Sequence, residues 1–116
     1  MVVAAAAFLS PGVVKAGPKS HPLDEDTAVN ILLHTLERDH VYDKRISLNC
    51  VTFDTEETTR IYVQVALREK HEGKCGGDPD TSPVIDRYRV NRASGKIELY
   101  NAVEDNWSPY DRAKIR

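Results

Sequence analysis

Apolar side chains recur at helical spacing in one stretch of this chain, and from residue 46 onward the spacing falls to two. In the first stretch Ala28, Val29, Leu32, Leu33, Leu36 and His40 share a face, while Asn30, Glu37 and Arg38 are left to water. Asp24 is a fitting N-cap, Glu25 and Asp26 put negative charge where the helix dipole favours it, and Leu23 can staple onto Ala28. The spacing predicts an amphipathic helix that ends between Asp39 and Lys44.

Period two begins with Ile46, Leu48 and Cys50 on one side and Ser47, Asn49 and Val51 on the other, which predicts a first strand. The polar run 54–58 reads as the turn after it. A second strand follows, with Ile61, Val63, Val65 and Leu67 alternating against Tyr62, Gln64, Ala66 and Arg68. Strands at 84–91 and 96–101 form a hairpin about Arg92-Ala93-Ser94-Gly95. Its register sets Val90 opposite Ile97 and Tyr88 opposite Leu99 on one face, with Arg89 beside Glu98 and Arg87 beside Tyr100 on the other. Asp86 breaks the alternation by pointing inward, so a bulge or an edge position is expected there. One helix followed by antiparallel strands predicts an α+β fold, with an N-terminal helix packed on a four-stranded antiparallel sheet. The stretch 107–116 either covers the sheet edge or hangs free.

Between the second strand and the hairpin lies the segment His71 to Pro83, which holds one of the two cysteines, a Gly-Gly pair and two prolines. Glycine opens backbone angles closed to other residues and proline fixes its own, so this is a shaped loop. The N-terminus has a different character. Val2 to Leu9 is apolar and too short to span a bilayer, and small residues Val14 and Ala16 suit a signal peptidase, although no Lys or Arg precedes Lys15. The expected organisation is a leader at 1–16, a linker at 17–22, a domain at 23–106 and a tail at 107–116. The rival reading of the first segment is an apolar tail or a first strand. No cysteine near the cut suggests a lipid anchor, so the expected location is periplasmic or secreted.

Export changes the meaning of the cysteines. Two of them in an exported chain most often form one disulfide, here Cys50 with Cys75, which would tie the loop to the first strand. The chain has 116 residues, 29% of them charged, with sixteen basic against eighteen acidic side chains. That balance leaves no electrostatic footprint for nucleic acid.

The helix followed by a four-stranded meander resembles the cystatin-like arrangement. Tyr88-Arg89-Val90-Asn91 with its return Gly95-Lys96-Ile97 resembles the hairpin of PepSY domains, which are small exported bacterial modules. Cys75-Gly76-Gly77-Asp78-Pro79 ahead of a Tyr-x-Val hairpin resembles small exported proteobacterial proteins of uncharacterised function. These resemblances cover roughly residues 60–105 and imply a compartment and a shape rather than an activity.

Candidate chemistry is sparse. Cys75 as a nucleophile with His71 and Glu72 would need an electropositive setting, and Lys74 is the only adjacent charge that supplies one. His71, Cys75, Asp78 and Asp80 lack the spacing of zinc or calcium ligands, so no metal site is expected. Asp78 and Asp80 read better as acceptors of nearby backbone N–H groups. Glu56 with Glu57 and Glu104 with Asp105 read as solvated turn charges, His34 and His40 as packing or exposed residues of the helix, and His21 as part of the linker. No phosphate loop, serine elbow or zinc-protease motif occurs, and no cofactor is implied. What remains is surface: Tyr62, Arg68, Arg87, Arg89 and Tyr100 on the sheet face away from the helix, and the loop residues Gly76, Gly77, Asp78 and Asp80. The expectation is an exported, non-enzymatic protein-binding module, such as a hydrolase inhibitor or an immunity-type protein. Its partner would be another protein of the envelope or extracellular space. The rivals are a thiol enzyme or redox protein using Cys75 and His71, and a structural part of an envelope assembly.

Overall fold

Asp24 starts the helix as expected: its carboxylate accepts from the Thr27 N–H at 2.8 Å. The structure, a computed structural model, describes residues 21–115; the expected leader and residues 17–20 of the linker lie outside them. The helix, α1, spans Glu25–Arg38 and buries Ala28, Leu32 and Leu36, one residue per turn. Full burial of a leucine contributes about 1.5–3 kcal/mol. His40 does not extend this face. The helix stops at Arg38, and His40 takes a left-handed backbone angle, φ 54°, which turns the chain so that Val41 and Tyr42 are buried behind it. Among the described residues no helix is long and apolar enough to cross a membrane.

Five strands, not four, follow: β1 Val51–Thr58, β2 Tyr62–Glu69, β3 Val84–Asn91, β4 Ile97–Asn101 and β5 Asn106–Pro109. They pair antiparallel in chain order. The molecule is therefore α+β, with one described helix and a five-stranded antiparallel sheet. The extra strand comes from the C-terminal stretch, which covers the edge rather than hanging free. Asn101 closes the β4–β5 turn by accepting from the N–H groups of Val103 and Glu104, and Asp105 takes the left-handed angle the turn needs. Trp107 then pairs across from Tyr100. Beyond β5, Tyr110 packs against the core and Ile115 is buried in it.

The first strand also differs from its expectation. Residues 48–50 form a 3₁₀ turn capped by the Ser47 hydroxyl, so Cys50 precedes the strand instead of lying in its middle. β1 begins at Val51 and runs through the polar residues expected to turn. Strand geometry wins there because β1 is an edge whose outer face is wet, and its carboxylates reach cations on β2 and β3. The turn itself falls at 59–61, where the Thr59 hydroxyl accepts from the N–H groups of Ile61 and Tyr62.

On the β3–β4 hairpin the register is the one alternation demands, with Tyr88 opposite Leu99, Arg89 opposite Glu98 and Val90 opposite Ile97. The anomaly at Asp86 is resolved by a bulge. Leu67 pairs with Asp86 and Arg68 with Val84, leaving Ile85 as the extra residue, while Asp86 itself points inward. Val63, Val65, Leu67, Tyr88 and Val90 line the inner face and pack with Leu32 and Leu36 of α1.

Candidate interaction surfaces

Alternation along β2 and β3 sends Tyr62, Gln64, Arg68, Arg87 and Arg89 to the face away from α1, and the added strand brings Trp107 onto the same face beside Tyr100. All five residues expected on this face therefore share it. The Arg89 guanidinium lies 4.0 Å from the Tyr62 ring centre and 4.1 Å from that of Trp107, held between two aromatic planes. Its Nε donates to Gln64 Oε1 at 3.1 Å, and Gln64 Nε2 donates to Glu56 Oε1 at 3.0 Å. Arg87 Nε completes the chain by donating to the same carboxylate at 2.9 and 3.2 Å. Tyr100 packs on Trp107 with ring centres 5.1 Å apart and donates to Asp105 at 2.6 Å.

The irregular pairing between Thr55 and Glu57 explains how Glu56 joins this network. A bulge breaks strict alternation, so Glu56 reaches Arg87 and Gln64 while Glu57 accepts from the Tyr62 hydroxyl, all on the outer face. Partial burial opposes the charge on Glu56, but the hydrogen bonds from Arg87 and Gln64 outweigh it and hold its carboxyl below the usual range. Sequence reasoning took Glu56 and Glu57 for turn charges and missed Gln64 and Trp107 as partners. The signal for Trp107 was present: continuing the β4 register through a four-residue turn sets it opposite Tyr100.

The loop is built around a histidine. Cys50 and Cys75 are joined in a disulfide, with Cα atoms 5.5 Å apart, and both thiols are thereby consumed. His71, its side chain 11% exposed, donates from Nε2 to Glu69 Oε1 and from Nδ1 to the Asp78 carbonyl, each at 2.7 Å. The bond to Glu69, followed by that to Asp78, favours the charged ring and raises its pKa above the ordinary histidine value. Gly77, at φ 83°, lies against the ring so closely that a Cβ there would come within 2.5 Å of it. Gly76, Gly77, Asp78 and Asp80 sit exposed at the tip, where the Asp78 carboxylate accepts from the Asp80 N–H at 2.9 Å. Arg68 joins the loop to the sheet face: Nε donates to Asp54 and Nη1 to the Ser82 carbonyl at 2.9 Å.

A third cluster lies inside. Tyr42 donates to Asp86 Oδ2 at 2.6 Å and accepts from the Tyr88 hydroxyl at 2.6 Å. Burial raises the pKa of Asp86 despite the Tyr42 bond and the Arg45 guanidinium 4.0 Å away, and it drives both tyrosines above their usual range. These hydroxyls stay protonated, Tyr88 donating to Tyr42 and Tyr42 to the half-buried carboxylate, and the relay fixes the segment after α1 onto β3.

No family model, curated protein or solved structure matches this chain.

Proposed function

We propose that this chain is an exported, non-enzymatic module that binds another protein through the outer face of its sheet and the neighbouring loop. The observation that carries the reading is Arg89 held between Tyr62 and Trp107 on the outer face of the sheet. Arginine and large aromatic residues dominate binding energy at protein interfaces, and side chains already fixed lose little entropy when a partner docks. Gln64, Glu56 and Arg87 extend the fixed patch across three strands.

The disulfide supports a periplasmic or secreted location, because such bonds persist in oxidising compartments. Small size and the cystatin-like and PepSY-like resemblance suggest an inhibitor of a hydrolase or an immunity-type protein. A thiol enzyme has no comparable support, since Cys75 is bonded to Cys50 beside His71. The test is affinity capture from an envelope extract with wild type and with Arg87→Ala/Arg89→Ala. A protein recovered by wild type and lost from the variant supports the reading, and equal recovery of every protein from both baits contradicts it.

A further inference from the structure

β1 is one margin of the sheet, and among the described residues no strand lies on its far side. The ladder determines which of its backbone groups face outward. The Lys70 N–H bonds the Cys50 carbonyl, whereas the Glu69 N–H turns the other way to Pro83. Val51 and Glu69 are therefore a non-hydrogen-bonded pair, and alternation makes Phe53 and Thr55 the following residues whose N–H and C=O point away from β2. The opposite margin is poorer: β5 has four residues and ends in Pro109, which lacks an N–H. β1 offers eight.

Side chains along β1 set what fits beside it. Phe53 and Thr55 face the helix side yet are only half-buried, so the inner face is left partly bare at this margin. With Val29 they form a groove bordered by Glu25, Asp26, Asn30 and Asp54, and among the described residues no basic side chain lines it. On the outer face Asp54, Glu56 and Glu57 follow one another along the same strand. A second copy pairing antiparallel through β1 would bring these carboxylates against their counterparts, and like charges across a ladder are destabilising. A strand that alternates basic and apolar residues meets these carboxylates on the outer face and the apolar groove on the inner one.

We propose that the β1 edge receives an extended, basic segment of a partner protein as a sixth strand. Its backbone pairs with Phe53 and Thr55, its apolar side chains cover Phe53 and Val29, and its Lys or Arg side chains, which alternation turns to the outer face, approach Asp54 and Glu57. This is strand addition, in which main-chain bonds give affinity and side chains give selectivity. The inference rests on the protein-binding reading and adds the partner's chemistry at a surface separate from the Arg89 stack.

The test titrates the full-length chain with the capped peptide Lys-Val-Lys-Val-Lys-Val and follows amide exchange by NMR. Two control peptides replace Lys by Glu or Val by Pro; the second keeps the charge but cannot pair. Saturable protection of the Phe53 and Thr55 amides by the Lys-Val peptide alone is expected. Asp54→Lys should weaken binding by about threefold to tenfold, as reversal of a rim charge does. Thr55→Pro, which removes an outward N–H and leaves every carboxylate, should abolish protection while thermal unfolding shows the fold intact. Equal binding of the Lys-Pro peptide, or no protection by the Lys-Val peptide, would overturn the proposal. So would amides at Phe53 and Thr55 already protected in the peptide-free chain, because the edge would then be filled by another part of the chain or by a second copy. Arg89→Ala should leave peptide protection unchanged, so failure here and failure of the outer-face reading are read separately.

Discussion

Removing the disulfide by Cys50→Ala/Cys75→Ala tests how the loop is held. The bond joins residues 25 apart in sequence. Closing a loop of that length in the unfolded chain costs about 3.5 kcal/mol of entropy at 25 °C in the chain-entropy model, and the variant forfeits that constraint. A domain of this size is stable by about 5–10 kcal/mol in total, so a third or more of the margin is at stake. With a urea slope of about 1–1.5 kcal/mol/M, the midpoint should fall by roughly 2.5–3.5 M. The assay is urea unfolding followed by tryptophan fluorescence, since Trp107 is the one tryptophan and lies on the last strand. Wild type unfolded with a reductant should approach the variant. Coincident curves for oxidised wild type and variant would mean that the loop is held by its other ties alone. Those ties include the Glu69 N–H to Pro83, the Lys70 N–H to Cys50, the Arg68 and Ser82 bonds at the base of the loop and the two His71 bonds.

His71 has a raised folded pKa, so its stabilising contribution is complete below the unfolded value of about 6.5 and is lost as pH rises through the folded value. The urea midpoint difference between wild type and His71→Gln should therefore shrink on the alkaline side, and a constant difference across that window would contradict the bonding described. Gly77→Ala drives a methyl group toward the His71 ring at an unfavourable φ and should destabilise by about 1–3 kcal/mol in thermal unfolding. Tyr42→Phe strips a donor from Asp86 and an acceptor from Tyr88, at an expected cost of about 1–3 kcal/mol. Asp86 already has a raised folded pKa and loses stability as pH climbs through it, so the Tyr42→Phe penalty should be larger near pH 7 than near pH 4 in paired denaturation curves.

Much of the outer face was legible because strand alternation is a local rule. Tyr62, Arg68, Arg87 and Arg89 follow from period two along β2 and β3, and the β3–β4 register follows from matching apolar residues about the Gly95 turn. The inward Asp86 marked its own irregularity, although its partner Tyr42, 44 residues away, could not be read from spacing. Three features resisted local reasoning. Residues 54–58 look like a turn by composition and become a strand only because Arg68 and Arg87 on neighbouring strands meet their carboxylates. Residues 46–50 alternate like a strand, yet the Ser47 cap turns them. The strand at Trp107 is too short for a period and carries a proline, so only pairing with β4 defines it. Glycines in the loop were expected to give it shape, while the His71 ring packed beneath Gly77 emerges only in three dimensions.

Calorimetric titration of the captured partner against wild type, Arg89→Ala, Trp107→Ala and the distant helix variant Glu37→Ala tests the binding-face claim most directly. Arg89→Ala and Trp107→Ala should each weaken affinity by about thirtyfold or more, the scale of an interface hot spot, while Glu37→Ala should bind as wild type does. Affinities for Arg89→Ala and Trp107→Ala equal to that of the wild type would contradict it.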